Sequence, residues 1–137
     1  VMQVDRRSVL LGAAALASGG TVAARVPNRR AANPFLWGVA TAAHQIEGNN
    51  TNSDYWLLEN IKPTYYREPS LDACDSFNRW REDLALIQRA GLNCYRFSLE
   101  WARIEPEPLQ FSQAMLEHYR RIAATCRESG IEPMVTF

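Results

Sequence analysis

Cysteine is scarce in this chain. Three residues, Cys74, Cys94 and Cys126, stand far apart among 137. No CxxC or closely spaced His/Cys pattern is present, which removes the usual basis for a zinc site. An odd number excludes a fully paired disulfide framework within the chain, and the expectation is buried, reduced thiols. Histidine occurs twice and lysine once, at Lys62. No GxGxxG follows the first strand candidate and no GxxxxGK[ST] occurs anywhere, so neither the dinucleotide fingerprint nor the phosphate loop is available. Internal repeats are absent. Net charge is zero overall but uneven. Five of the 15 basic residues and only one of the 15 acidic ones lie in 1–33, so that segment stands at +4 and the remainder at −4. An acidic body argues against a nucleic-acid partner.

What is present begins with an address. Asp5-Arg6-Arg7-Ser8-Val9-Leu10-Leu11-Gly12 opens a tract that continues AAALASGG and closes near TVAARVP. A charged start, a short apolar stretch and small residues suited to cleavage are the anatomy of a secretory signal, too short and too Ala/Gly-rich for a membrane span. Paired arginines before Ser-Val-Leu-Leu resemble a bacterial twin-arginine export signal. A general secretory signal or an uncleaved anchor is the alternative. Cleavage after Ala17, Ala23 or Ala24 would start the mature chain before Asn33. Residues 1–33 are therefore expected to be signal peptide and disordered segment, recognised by the twin-arginine export machinery, with a periplasmic or secreted product. The folded part is expected to span 34–137.

Within it, Phe35–Thr41 is nearly continuous in apolar residues and predicts a strand buried on both faces. Asn49–Asp54 reads as a turn, Tyr55–Asn60 as a short helical piece, and 62–71, with Pro63 and Pro69, as a loop. Phe77, Trp80, Leu84 and Ile87 recur at steps of three and four, predicting a helix capped by Asp72 or Asp75 and stopped by Gly91. Leu92–Ser98 is the second strand. Ser112 should cap the next helix, with Phe111 and Leu116 forming a hydrophobic staple. Its apolar stripe is Met115, Tyr119, Ile122 and Cys126, and Gly130 ends it. Ile131–Phe137 is the third strand. Strand, helix, strand, helix, strand predicts parallel pairing, in either an open doubly wound sheet or a barrel.

In a barrel, chemistry gathers where strands end. That directs attention to Thr41–Glu47, Arg96–Arg103 and Thr136-Phe137. Gln45 carries an amide that donates and accepts at once, matching vicinal hydroxyls, though an amide there can equally cap a loop. Arg96, a permanent cation on a mostly apolar strand, implies a buried carboxylate partner, for chemistry or for structure alone. Trp37, Trp56 and Trp101 offer flat apolar faces for stacking against a ring, or are simply core. Glu47 is expected to accept backbone N–H groups, His44 to pack, His118 to sit on a solvated helix face, and Glu100, Glu105 and Glu107 to lie on exposed turns.

Three stretches taken together carry a resemblance. FLWGVATAAHQIEG is similar to the N-terminal signature of glycoside hydrolase family 1, the β-glucosidase family. EDLALIQRAGLNCYRFSLEWARIEPEP resembles the family's second βα unit and GIEPMVTF its third strand. The resemblance implies an α/β fold, the N-terminal portion (about three β/α units) of a TIM (β/α)8 barrel. It implies retaining hydrolysis of β-glycosides without metal or cofactor. At Gln45 it implies hydrogen bonds to sugar hydroxyls, and at Arg96 a pair with the nucleophilic carboxylate. Retention needs two carboxylates about 5–5.5 Å apart, which the family carries in Asn-Glu-Pro and Glu-Asn-Gly motifs. Neither motif occurs here, and the family's sugar-binding His, which would follow Val135-Thr136-Phe137, lies beyond the sequence. Asn49–Asp54 replaces a more Gly-rich segment, and Glu100 stands where a small residue is usual.

A barrel of this kind takes about 250 residues. The expectation is a piece of a longer β-glycosidase, poorly folded and catalytically inert by itself. A sugar-binding relic without catalytic carboxylates, or another exported barrel enzyme, is the alternative.

Overall fold

The computed structural model describes residues 35–137, which form one compact unit. The expected signal segment 1–33 lies outside the described residues. Three short strands, β1 (Gly38–Ala40), β2 (Cys94–Ser98) and β3 (Glu132–Thr136), lie side by side in that order, each pair parallel. Between β1 and β2 come α1 (Ala43–Ile46), α2 (Asp54–Asn60) and α3 (Ser76–Arg89). Between β2 and β3 come α4 (Trp101–Ile104) and α5 (Gln113–Glu128).

The long helices form where the sequence period asks for them. In α3, Trp80, Leu84 and Ile87 are buried along one stripe, and in α5 so are Tyr119, Ile122 and Cys126. Both end alike. Gly91 N–H bonds to the Gln88 carbonyl and Leu92 N–H to that of Ile87. Gly130 N–H bonds to the Arg127 carbonyl and Ile131 N–H to that of Cys126. These are paired Schellman closures. The two glycines take φ of +73° and +75°, a region costly for residues with a Cβ. Ser112 Oγ accepts the Met115 N–H, as the capping pattern requires, and Phe111 and Leu116 both pack on the core. Asp75 stands at the start of α3 in a left-handed conformation, but its carboxylate accepts from the Asn78 amide and caps no backbone N–H.

The core lies between sheet and helices. Tyr95 and Phe97 point into it from β2, meeting Trp80, Leu84, Tyr119 and Ile122. Ile104 and Ile131 are fully buried, each worth about 1.5–3 kcal/mol. Register puts Gly38, Ala40, Arg96, Met134 and Thr136 on the opposite face, where Arg96 and Met134 are exposed.

Two expectations change here. β1 is exposed along its whole length, not buried on both faces, because among the described residues it pairs with β2 alone. Its glycine answers a close approach: a Cβ on Gly38 would come within 2.3 Å of the Cys94 carbonyl oxygen. Cys94 and Cys126 are buried free thiols, whereas Cys74 is exposed in the polar turn before α3.

Candidate functional site

The ends of β1 and β2 meet at α1. A four-residue helix cannot sustain itself, so external bonds must hold it. Thr41 N–H donates to the Arg96 carbonyl at 2.9 Å, and Thr41 Oγ1 lies 2.8 Å from the Tyr95 hydroxyl. Ala43 N–H donates to Ser98 Oγ at 2.7 Å, tying the first turn of α1 to the end of β2.

Two buried carboxylates then fix α1, one near its start and one at its end. Glu59, on α2, accepts from His44 Nε2 at 2.8 Å and takes the N–H and hydroxyl of Ser70 on its other oxygen, both at 2.9 Å. The His44 ring also stacks on Tyr55. Burial alone would push the Glu59 carboxyl upward. The Ser70 N–H, His44 and the Ser70 hydroxyl together outweigh it and hold the group below its ordinary value.

Glu47 is the second. Tyr119 donates its hydroxyl to Oε1 at 2.8 Å, and Arg103 donates Nε–H to Oε2 at 3.1 Å. Arg103 also donates to the Gly48 carbonyl at 2.6 Å and lies 4.3 Å over the Phe77 ring. Tyr119 in turn accepts the Glu100 N–H at 3.2 Å. Burial raises the Glu47 carboxyl above its usual value in spite of Tyr119 and Arg103. Burial also drives the Tyr119 phenol upward, so it stays a donor. The expectation that Glu47 accepts backbone N–H groups is thereby corrected: its partners are two side chains, from α4 and α5, that out-compete the backbone because one of them is a cation.

Gln45 lies between these grips and is exposed, and no described residue hydrogen-bonds its amide. Arg96 is exposed on the face of β2 away from the helices, with no carboxylate partner among the described residues. Trp37 precedes β1, at the end of the sheet away from these groups, and pairs with Phe35. Trp101 donates to Glu105 at 2.7 Å and meets Phe111 edge-on. Trp56 is half-buried on α2.

His118 is not on a solvated face. It is buried, stacked on Phe77 at 4.3 Å with Trp80 and Tyr119 edge-on. Its Nε2 has no hydrogen-bond partner among the described residues, and burial, with neighbouring arginines, lowers its pKa. A cavity of about 20 Å³, room for one water, lies beside Glu47, Asp83, His118 and Tyr119. Glu100 is also no plain turn residue. One of its oxygens accepts the Ala102 N–H and caps α4, and the other accepts the Asn50 amide at 3.0 Å. The two departures from the family pattern thus meet each other. Glu107 is exposed as expected, while Glu105 is half-buried. Among the described residues no cluster of three or more His, Cys, Asp or Glu could hold a metal ion.

Parallel strands joined through helices, with polar side chains gathered beyond the strand ends, define the opening units of a parallel α/β barrel. The sequence profile described as "Glycosyl hydrolase family 1" matches residues 28–137, and the chain belongs to that family. Beta-glucosidase A of Thermotoga maritima is 41% identical over 109 residues, covering 74% of this chain and 24% of the relative. A beta-glucosidase of Agrobacterium sp. is 40% identical over 124 residues, 85% of this chain and 26% of that one. The crystal structure of beta-glycosidase BGL167 superposes with a TM-score of 0.73 at 60% identity, over 75% of this chain and 25% of that structure. The chain thus spans about a quarter of the length of the relatives it matches.

Proposed function

We propose that this chain supplies the opening strands of a retaining β-glycosidase that hydrolyses O-glycosidic bonds of small β-glycosides. Gln45 hydrogen-bonds hydroxyls of the glycone, and Arg96 holds the nucleophilic carboxylate in its ionised state. The acid/base and the nucleophile come from polypeptide beyond these residues, so residues 34–137 alone hydrolyse nothing. The observation that carries the reading is the pair of uncommitted polar groups at one sheet end. An exposed amide stands on a tethered turn, and a permanent cation stands on the neighbouring strand face with no carboxylate partner among the described residues. An arginine facing the interior of a closed barrel requires an anionic partner, and retaining hydrolysis supplies one.

The test is the reading frame containing the chain. Asn-Glu-Pro and Glu-Asn-Gly motifs are expected downstream of Phe137, with hydrolysis of an aryl β-glucoside giving the β-anomer first. An early stop, α-anomer product, or hydrolysis by residues 34–137 alone would overturn the reading.

Residues 1–33 act in this proposal as a twin-arginine export signal, placing the product in the periplasm or outside the cell. Paired arginines followed by Ser-Val-Leu-Leu support it. Arg6→Lys with Arg7→Lys should abolish export of a fused reporter; undiminished export would refute this part.

A further inference from the structure

We infer that Glu47 is a positioning residue: its carboxylate, held by Tyr119 and Arg103, fixes the turn on which Gln45 meets the substrate. This rests on the reading of Gln45 given above. The Gln45 amide has no hydrogen bond of its own among the described residues, so its aim is inherited from the backbone of α1. That backbone is only four residues long and cannot hold its own shape. Glu47 is its C-terminal cap residue, two positions after Gln45, and both of its oxygens are engaged.

The partners are themselves immobilised. Tyr119 is buried in the middle of α5 and also receives the Glu100 N–H. Arg103 returns to the Gly48 carbonyl, the residue after Glu47, and is seated on Phe77. One carboxylate therefore links α1, α4 and α5. The first residues of the turn are held separately, His44 by its contact with Glu59 and Ala43 by Ser98. His44 before Gln45 and Glu47 after it are anchored, while the Gln45 side chain is left to solvent. That arrangement presents a binding group from a rigid frame, because small displacements of such groups are costly in rate.

The experiment is a double-mutant cycle in the complete polypeptide, crossing Glu47→Gln with Gln45→Ala and reading kcat/KM on an aryl β-glucoside alongside thermal unfolding. Glu47→Gln should lower kcat/KM by about ten- to a hundredfold. In the Gln45→Ala background the same change should cost less than about twofold, since its effect passes through the missing amide. Equal losses in both backgrounds would show that Glu47 only stabilises the fold and would overturn the inference. Should Glu47→Gln fail to unfold cooperatively, Tyr119→Phe takes its place, removing one of the two grips and leaving Arg103. Absence of hydrolysis by the unmodified polypeptide would defeat the functional reading separately. The tether is then read from ¹⁵N relaxation. In Glu47→Gln the Gln45 order parameter should fall from about 0.85 to below about 0.6, and an unchanged value would overturn the inference.

Discussion

The two faces of β2 are five residues of the same strand in opposite circumstances. Tyr95 and Phe97 are buried against α3 and α5, with their rings stacked at 5.2 Å. Arg96, between them, is exposed, beside Met134 in register on β3, which is 45% exposed. On the helix-covered face the rings of β2 have packing partners within the described residues, while Val39 and Val135, their neighbours in register on β1 and β3, stay exposed. The other face carries, beside the buried Cys94, an exposed cation and an exposed apolar side chain. In a barrel the face away from the helices is the interior, filled by layers of side chains from several strands. On the function proposed above, the contrast teaches that the apolar packing of the rings and the site cation fall on opposite sides of one strand. What α3 and α5 can complete is structural, and what awaits the barrel's other strands includes the group assigned to the nucleophile.

The strongest way to break this contrast is to cut each face. Phe97→Ala should cost about 3–5 kcal/mol by denaturant unfolding of the complete polypeptide. Met134→Ala should cost about 2–5 kcal/mol there, because closure buries it. A Met134→Ala cost within about 0.5 kcal/mol, the usual range for surface positions, would show that this face stays wet and that Arg96 is not an interior cation.

A smaller effect separates the buried polar node from the apolar core around it. Tyr119→Phe keeps the ring but removes the donor to Glu47 and the acceptor for the Glu100 N–H. A hydrogen bond to a charged group is worth about 1.5–3 kcal/mol, and a loss of that size is expected in the unfolding midpoint. A neutral result would mean that water replaces the phenol, and the node would not be the rigid anchor described above. Smaller again is Gly130→Ala. Open space surrounds the added Cβ, so only the positive φ is penalised, about 1–2 kcal/mol. Gly38→Ala should exceed it, since there the obstacle is the Cys94 backbone itself.

The long elements were legible because a period encodes them. Trp80, Leu84 and Ile87 in α3 and Tyr119, Ile122 and Cys126 in α5 declare their stripes, and the Gly91 and Gly130 stops declare the ends. Even His118 could have been placed: it stands three residues after Met115 and four before Ile122, on the same stripe, so its burial needed no information beyond spacing. The polar node is different. Glu47 and Tyr119 are 72 residues apart, and Asn50 and Glu100 are 50 apart. No local pattern ties a carboxylate to a phenol on a distant helix, because a hydrogen bond depends on where the chain returns and not on a repeat. Gln45 and Arg96 could be singled out from residue type and position, yet the frame that holds Gln45 could not. The brevity of β1 was hidden for a similar reason: a continuous apolar run states affinity for an interior, whereas strand length depends on what pairs with it.

The least pronounced effect is the pH dependence, because Glu59 and Glu47 shift in opposite directions from the same starting value of 4.5. Glu59 titrates lower in the folded chain than in the unfolded one. Its contribution is present above pH 4.5 and is lost as pH falls through the folded value. Glu47 titrates higher when folded. Its contribution is full below 4.5 and is lost as pH rises through the folded value. His118, lowered from 6.5 by burial, adds stability as pH rises toward 6.5, so each variant must be compared with its parent at every pH. Glu59→Gln should flatten the acid side of the stability curve below pH 4.5 and leave the region above it parallel to the parent. Glu47→Gln should do the reverse, removing a loss of stability as pH rises above 4.5 and leaving the region below it parallel to the parent. Identical slopes for the two variants would mean that the carboxylates feel the same surroundings, and the distinction between a group gripped by hydrogen bonds and one governed by burial would fail.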